Sequence, residues 1–273
     1  MSSAKLIQLA NAHWQVEVTS HGGQILRAWH CNSPHPVIFC GKKAEILPGK
    51  AIRGGVPLCW PWFGASDVAG RPIQGFARTA QWEVETWEKD FIRLVLPEAN
   101  VPEELRDFPF ELYSEIRLSE ALELALIMKN CGTVPADISC ALHSYFAVSD
   151  CEKVTVSGLK ETPFTVKGGA EETDSAEVLA IKGEVCRLYC PQSAVLTLHD
   201  PKWQRQIVIE KSASNSTLVW NPGAERCAQI ADLADDEYHD FLCIEANRAG
   251  NDSLRLLPDT PVKISQKISC RFR

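Results

Sequence analysis

The sequence predicts an all-β fold, a large antiparallel β-sandwich with a few short helices. Three observations carry that reading: short apolar runs with a period of two, helical patterning limited to two brief stretches, and one unbroken rhythm from residue 14 to 270. Period-two alternation sends successive side chains to opposite faces of a strand, so one face can be buried while the other meets water.

Trp14, Val16 and Val18 open the pattern, followed by Trp82, Val84 and Thr86, by Ile116 and Leu118, and by Leu122, Leu124 and Leu126. Residues 154–157, 194–198, 206–209 and 262–268 continue it, with Gly, Pro, Asn and Asp clusters between the runs. Helices are expected at 102–108, where Pro102 precedes two acidic residues, and at 235–241, again with an acidic start; both suit a helix N-terminus. No repeat, low-complexity tract or Ser/Gly/Pro linker divides the 273 residues, so residues 1–273 read as one domain. Eight Trp and ten Phe, each able to bury ~150–250 Å², supply bulk for its core.

Composition excludes several functions. Lys and Arg total 28 against 35 Asp and Glu, a net charge of −7, and nucleic-acid binders recruit phosphate with an excess of basic residues. Any anionic ligand must therefore be held by a few placed arginines. Eleven cysteines, odd in number and scattered from Cys31 to Cys270, read as reduced and mostly buried thiols of a cytoplasmic protein. The N-terminal stretch, broken by Gln8 and Asn11, makes a poor secretory signal, and residues 130–149 contain Pro135, Asp137 and His143, so no membrane span is expected.

Four segments could carry chemistry. Residues 52–64 combine Arg53 and the two glycines directly after it with two prolines and three aromatics, which suits either a sugar-sized ligand with Arg53 as its polar anchor or a rigid aromatic corner of the core. Gln74-Gly75-Phe76-Ala77-Arg78 adds a second arginine able to fork onto a carboxylate or phosphate; the alternative is a solvated loop cation. His143, set among apolar and aromatic neighbours, is a tunable acid or base if it has a partner and a structural histidine if it does not. Glu245, the lone carboxylate in residues 241–247, is costly to ionise there unless it is paired or catalytic. Trp220, in a strand that ends at Asn221-Pro222-Gly223, could floor a sugar site or cap the core. Cys186, Cys190 and His199 lack zinc-site spacing, and no nucleotide or metalloprotease motif is present, so neither a metal nor a cofactor is expected.

Taken together, Arg53-Gly-Gly-Val-Pro-Leu-Cys-Trp-Pro-Trp-Phe-Gly64, Gly75-Phe-Ala-Arg78, Ala141-Leu-His-Ser-Tyr-Phe146, Val219-Trp-Asn-Pro-Gly223 and Cys243-Ile-Glu245 resemble the hexose-6-phosphate mutarotase branch of the aldose 1-epimerase family, in the family's order. The resemblance implies a galactose mutarotase-like sandwich and interconversion of the α and β anomers of a sugar phosphate, usually glucose 6-phosphate. It implies Glu245 as base and His143 as acid, with Arg53, Arg78, Gln74 and Trp220 lining the substrate site. A small-molecule sugar phosphate is the expected partner, with no nucleic acid or membrane, and the chain is expected to act as a monomer.

The chemistry suits these residues on its own terms. Opening a pyranose removes a proton from the anomeric hydroxyl and delivers one to the ring oxygen, so a carboxylate and an imidazolium must flank one C–O bond. Two positions depart from the family pattern: Gln74 stands where the family usually has His, and Cys186 where it commonly has an Asp that holds sugar hydroxyls. Both bear on substrate choice, and they keep open a non-catalytic sugar-binding module. Glycoside hydrolysis ranks behind both, because it normally needs two carboxylates and Glu245 alone stands out as a buried acid.

Overall fold

A computed structural model describes residues 4–166, 169–192 and 195–273. Among them, two large antiparallel sheets dominate. One has ten strands, in the order Leu6–Ala10, Trp14–Thr19, Gln24–His30, Pro36–Ile38, Tyr145–Ala147, Phe241–Ile244, Thr217–Asn221, Val185–Tyr189, Pro163–Val166 and Glu171–Thr173. The other has nine, in the order Val178–Ala180, Thr155–Ser157, Leu196–Asp200, Arg205–Ser212, Val262–Phe272, Leu122–Asn130, Phe110–Leu118, Phe91–Val95 and Glu83–Trp87. The expected sandwich is therefore present, and its two sheets are built from interleaved parts of the chain.

The alternating runs form these strands because each has one apolar face to bury. Leu112, Ile116, Leu122, Leu124, Leu126 and Met128 from two neighbouring strands of the nine-stranded sheet join Val16, Val18, Ile25, Leu142, Phe146 and Ile244 of the other layers in one hydrophobic cluster. Burying a side chain of this size contributes about 1.5–3 kcal/mol. A polar tie crosses the same layer: Ser144 Oγ donates to Gln266 Oε1, and Gln266 Nε2 donates to the Ile244 carbonyl at 3.1 Å. Both side chains are fully buried, so losing either partner would strand a polar atom in the core.

Several sequence expectations are corrected. At 102–108 there is only a 3-10 turn, Glu103–Leu105, and at 235–241 another, Glu237–His239. The α-helix among the described residues is Gly223–Cys227, five residues that follow the Asn221-Pro222 turn. In the first two cases proline and carboxylates mark a turn start, but no apolar stripe long enough to anchor a helix follows. The run at 194–198 begins on Ala194, outside the described residues; its strand is Leu196–Asp200. All eleven cysteines are free thiols, but they are not mostly buried: Cys59, Cys140, Cys151, Cys227 and Cys243 are, Cys31 is exposed and the other five are half-buried. No helix among the described residues is long and apolar enough to cross a membrane.

Candidate active site

Two segments leave the ten-stranded sheet side by side. Tyr145–Ala147 and Phe241–Ile244 pair within it, while the adjoining Cys140–Leu142 and Ala246–Arg248 pair in a small three-stranded sheet completed by Leu58–Cys59. The register runs unchanged across the break, with Leu142 opposite Ala246 and Tyr145 opposite Cys243, which sets His143 directly opposite Glu245. The Ile244 N–H, donating to the Ser144 carbonyl at 3.2 Å, holds the chains together at this step. Ser144 and Ile244 face the inter-sheet core, so alternation turns His143 and Glu245 to the opposite face.

His143 Nδ1 lies 3.2 Å from Glu245 Oε1, with both side chains buried. The two atoms are out of line for a hydrogen bond, and neither has another hydrogen-bond partner among the described residues. The second carboxylate oxygen is held: Asn247 Nδ2 donates to Glu245 Oε2 at 3.1 Å. Asn247 is itself oriented by the Leu218 N–H, which donates to its Oδ1 at 2.8 Å. The Tyr145 ring lies parallel to the His143 imidazole, 4.8 Å away and within 9°. Half-buried Trp220 meets His143 edge-on at 6.1 Å. One cross-strand row, Cys186, Trp220, Cys243 and Tyr145, forms the floor beside the pair.

Arginines reach this floor from two loops. The segment around Arg53 is laced to the His143 strand by hydrogen bonds from His143 N to the Pro57 carbonyl and from Tyr145 N to the Gly55 carbonyl, each 3.0 Å. Arg53 Nη1 donates to the Tyr145 hydroxyl at 3.2 Å, and its Nε to Asp232 Oδ1 at 3.0 Å. Arg78 follows Gly75, whose backbone crosses Trp60 so closely that a Cβ there would sit 2.0 Å from the Trp60 carbonyl oxygen. Its φ of +74° also belongs to the left-handed region that glycine occupies without strain. Arg78 Nη2 donates to the Ile73 carbonyl at 2.9 Å, while its buried Nε has no hydrogen-bond partner and the guanidinium no ion pair among the described residues.

Gln74 uses part of its polarity locally. Its Oε1 accepts the Gly64 N–H at 2.9 Å and its N–H donates to the Gly64 carbonyl at 2.7 Å, which ties the two arginine-bearing loops together. For the aromatics of residues 52–64 the packing alternative prevails at Trp60, fully buried with Phe76, Phe108 and Phe110 at 5.4, 5.8 and 4.8 Å. Nor is Glu245 the lone buried acid. Asp200, Glu237 and Asp252 are buried too, but each is tied to backbone N–H groups or an arginine, whereas Glu245 keeps an unbonded oxygen.

Burial bears on both members of the pair. Desolvation raises the Glu245 carboxyl to about 8, against smaller opposing effects of the Asn247 hydrogen bond and the Arg78 charge. It lowers His143 to about 3, and Arg78 and then Arg53 push in the same direction. Burial thus opposes charge on both members of the pair.

Donor atoms of His143, Cys243 and Glu245 all lie within 4.8 Å of one another, the spacing of a possible metal site. Arg53 and Arg78 make the surroundings positive, and burial pushes the Cys243 thiol well above its usual range. Both oppose a cation and favour proton handling. A cavity of about 1030 Å³ lined by His21, Thr79, Trp82 and Leu105, among others, includes neither His143 nor Glu245.

A family model, aldose 1-epimerase, matches residues 5–269. The chain belongs to the aldose 1-epimerase family. As a member it is an isomerase, an epimerase of the mutarotase kind acting on a sugar. A protein of Escherichia coli (strain K12) named "Putative glucose-6-phosphate 1-epimerase" is 29% identical over 253 residues, covering 90% of this chain and 84% of its own. One of Salmonella typhimurium with the same name is 30% identical over 230 residues, covering 82% and 76%. Among solved structures, "a putative mutarotase (YeaD) from Salmonella typhimurium" aligns with a TM-score of 0.90 at 25% identity, over 99% of this chain and 92% of that one.

In this aldose 1-epimerase family member, sequence reasoning did not single out Tyr145, Asn247, Cys243 or Asp232. The first three were within reach, because period two puts Tyr145 on the His143 face, and Cys243 and Asn247 on the Glu245 face. Asp232 gave no local signal; it meets Arg53 across 179 positions of chain.

Proposed function

We propose that the protein interconverts the α and β anomers of a hexose 6-phosphate, glucose 6-phosphate foremost, by acid–base ring opening and closure. The observation that carries this reading is the buried, unbonded 3.2 Å contact between His143 Nδ1 and Glu245 Oε1, flanked by two arginines. In ring opening, the Glu245 carboxylate takes the anomeric hydroxyl proton as C1=O forms, the C1–O5 bond breaks, and His143 as imidazolium protonates O5. Rotation about C1–C2 offers the other aldehyde face, and the pair, now with its protonation reversed, closes the ring.

Arg78 and Arg53 would receive the phosphate, Trp220 would supply a flat apolar contact for the sugar, and Gln74 would offer its amide N–H₂ to a hydroxyl. The names of the relatives support the substrate class. The test follows freshly dissolved α-glucose 6-phosphate by polarimetry or NMR. Faster equilibration with protein is expected; an unchanged rate across glucose 6-phosphate, mannose 6-phosphate, glucose and galactose would leave a sugar-binding module instead.

A further inference from the structure

The two oxygens of Glu245 meet different surroundings. Oε1 faces His143 Nδ1 at 3.2 Å with no hydrogen bond, while Oε2 accepts from Asn247 Nδ2 at 3.1 Å. An oxygen that already accepts an N–H is the poorer base, because a proton taken up there weakens the bond it has made. The unbonded oxygen is the one open to a proton.

Asn247 is held so that it can present only a donor. It is fully buried, and its Oδ1 accepts the Leu218 N–H at 2.8 Å. A backbone N–H can only donate, so this bond fixes which end of the amide is oxygen and leaves the N–H₂ end towards Glu245. The main chain is tied down as well: the Asn247 N–H donates to the Ser216 carbonyl at 3.2 Å, and its own carbonyl accepts the hydroxyls of Ser214 and Ser216 at 2.8 and 3.0 Å. Ser214 and Ser216 precede the Thr217–Asn221 strand and Leu218 lies on it, so a neighbouring strand aims the donor. An apolar side chain of similar size would fill the same volume without any of these bonds.

We infer that Asn247 is a positioning residue for the acid–base site: by engaging Oε2 it holds the plane of the Glu245 carboxyl and makes Oε1, the oxygen that faces His143, the one that exchanges a proton with the anomeric hydroxyl. The inference rests on Glu245 serving as the base in the function proposed above. In ring opening the hydroxyl O–H bond breaks as the Oε1–H bond forms, on the side of the carboxyl where His143 delivers its proton to the ring oxygen. The same N–H favours the carboxylate over the acid, and it acts with the Arg78 charge against the burial that opposes ionisation. The other ionisable groups around Glu245 do not take this role. His143 is its unbonded neighbour, burial pushes the Cys59 and Cys243 thiols upward so that both stay uncharged, and Arg78 acts through its charge, with no hydrogen bond to Glu245 among the described residues.

The experiment separates donating from filling space. Asn247→Ala removes both the donor and the volume, whereas Asn247→Leu restores the volume without the donor. Anomerisation of glucose 6-phosphate is followed by NMR as a function of pH, with the fold checked by circular dichroism. In both variants kcat should fall about tenfold or more with KM little changed, and the acid limb of the pH profile should move up by about one unit, as the loss of a hydrogen bond to a charged group requires. ¹³C NMR of the Glu245 carboxyl, assigned from Glu245→Gln, should show the same upward shift without relying on turnover. In the wild-type protein the Asn247 side-chain amide protons should titrate together with that carboxyl, a reading that needs no Asn247 variant to fold. Wild-type kcat in Asn247→Leu, an acid limb and carboxyl titration that stay in place, or amide protons that ignore the Glu245 titration overturn the inference. If the wild-type protein does not accelerate anomerisation, or Glu245→Gln keeps the full rate, the proposed function has failed instead.

Discussion

His143 stands directly opposite Glu245 where two neighbouring strands leave the ten-stranded sheet together, 3.2 Å apart and not hydrogen-bonded to each other. Neither group could hold a full charge cheaply in this position without a partner. Backbone register, rather than a flexible loop, sets their separation, so the spacing is as rigid as the sheet.

Replacing either member should remove the chemistry and spare the fold. Glu245→Gln keeps the shape and an oxygen for Asn247 Nδ2, and His143→Asn keeps a polar side chain of smaller size. Each is expected to lower the anomerisation rate by about 10²–10⁴-fold. Polarimetry gives the rate and circular dichroism the fold; full activity in either variant would reject the assignment.

The pair also predicts a pH profile of stability. Glu245 is raised from 4.5 to about 8 in the folded state, so its contribution is fully present below pH 4.5 and is lost as pH rises towards 8. His143 is lowered from 6.5 to about 3, so its contribution is present above pH 6.5 and is lost as pH falls towards 3. Between pH 4.5 and 6.5 the two slopes cancel. Denaturant titrations should find a plateau there and, from pH 6.5 to 8, a decline approaching about 1.4 kcal/mol per pH unit. Glu245→Gln should lack that alkaline decline.

If Arg78 holds the phosphate, Arg78→Ala should raise KM for glucose 6-phosphate about ten- to a hundredfold, as expected when a charge-assisted contact worth a few kcal/mol is lost. KM for free glucose should change far less. Equal effects on both substrates would assign Arg78 a structural role.

Gly75→Ala tests the crossing that delivers Arg78. With φ at +74° and a Cβ 2.0 Å from the Trp60 carbonyl oxygen, the substitution should destabilise by at least ~2 kcal/mol. Thermal unfolding reads that loss. Activity should fall with it, because Arg78 lies three residues on.

Much of this was legible in particular stretches of sequence. Leu122, Leu124 and Leu126 announced a strand and its buried face, and Glu245, alone among apolar neighbours, announced an unusual carboxylate. The brief helices were misread because proline and acidic residues signal how a turn starts without saying how far it runs. At Trp60 the sequence left a sugar platform and a core corner both open, because aromatics pack cores and line sites with the same chemistry, and the packing reading holds there.

By itself, the sequence determined the layer architecture and the residue types able to do acid–base work, since alternation and composition are local properties of a chain. Only the tertiary structure decided that His143 faces Glu245, that Tyr145 and Asp232 hold Arg53, and that burial opposes charge on both members of the pair. Those facts depend on register and burial, which arise when residues a hundred positions apart are taken out of water together.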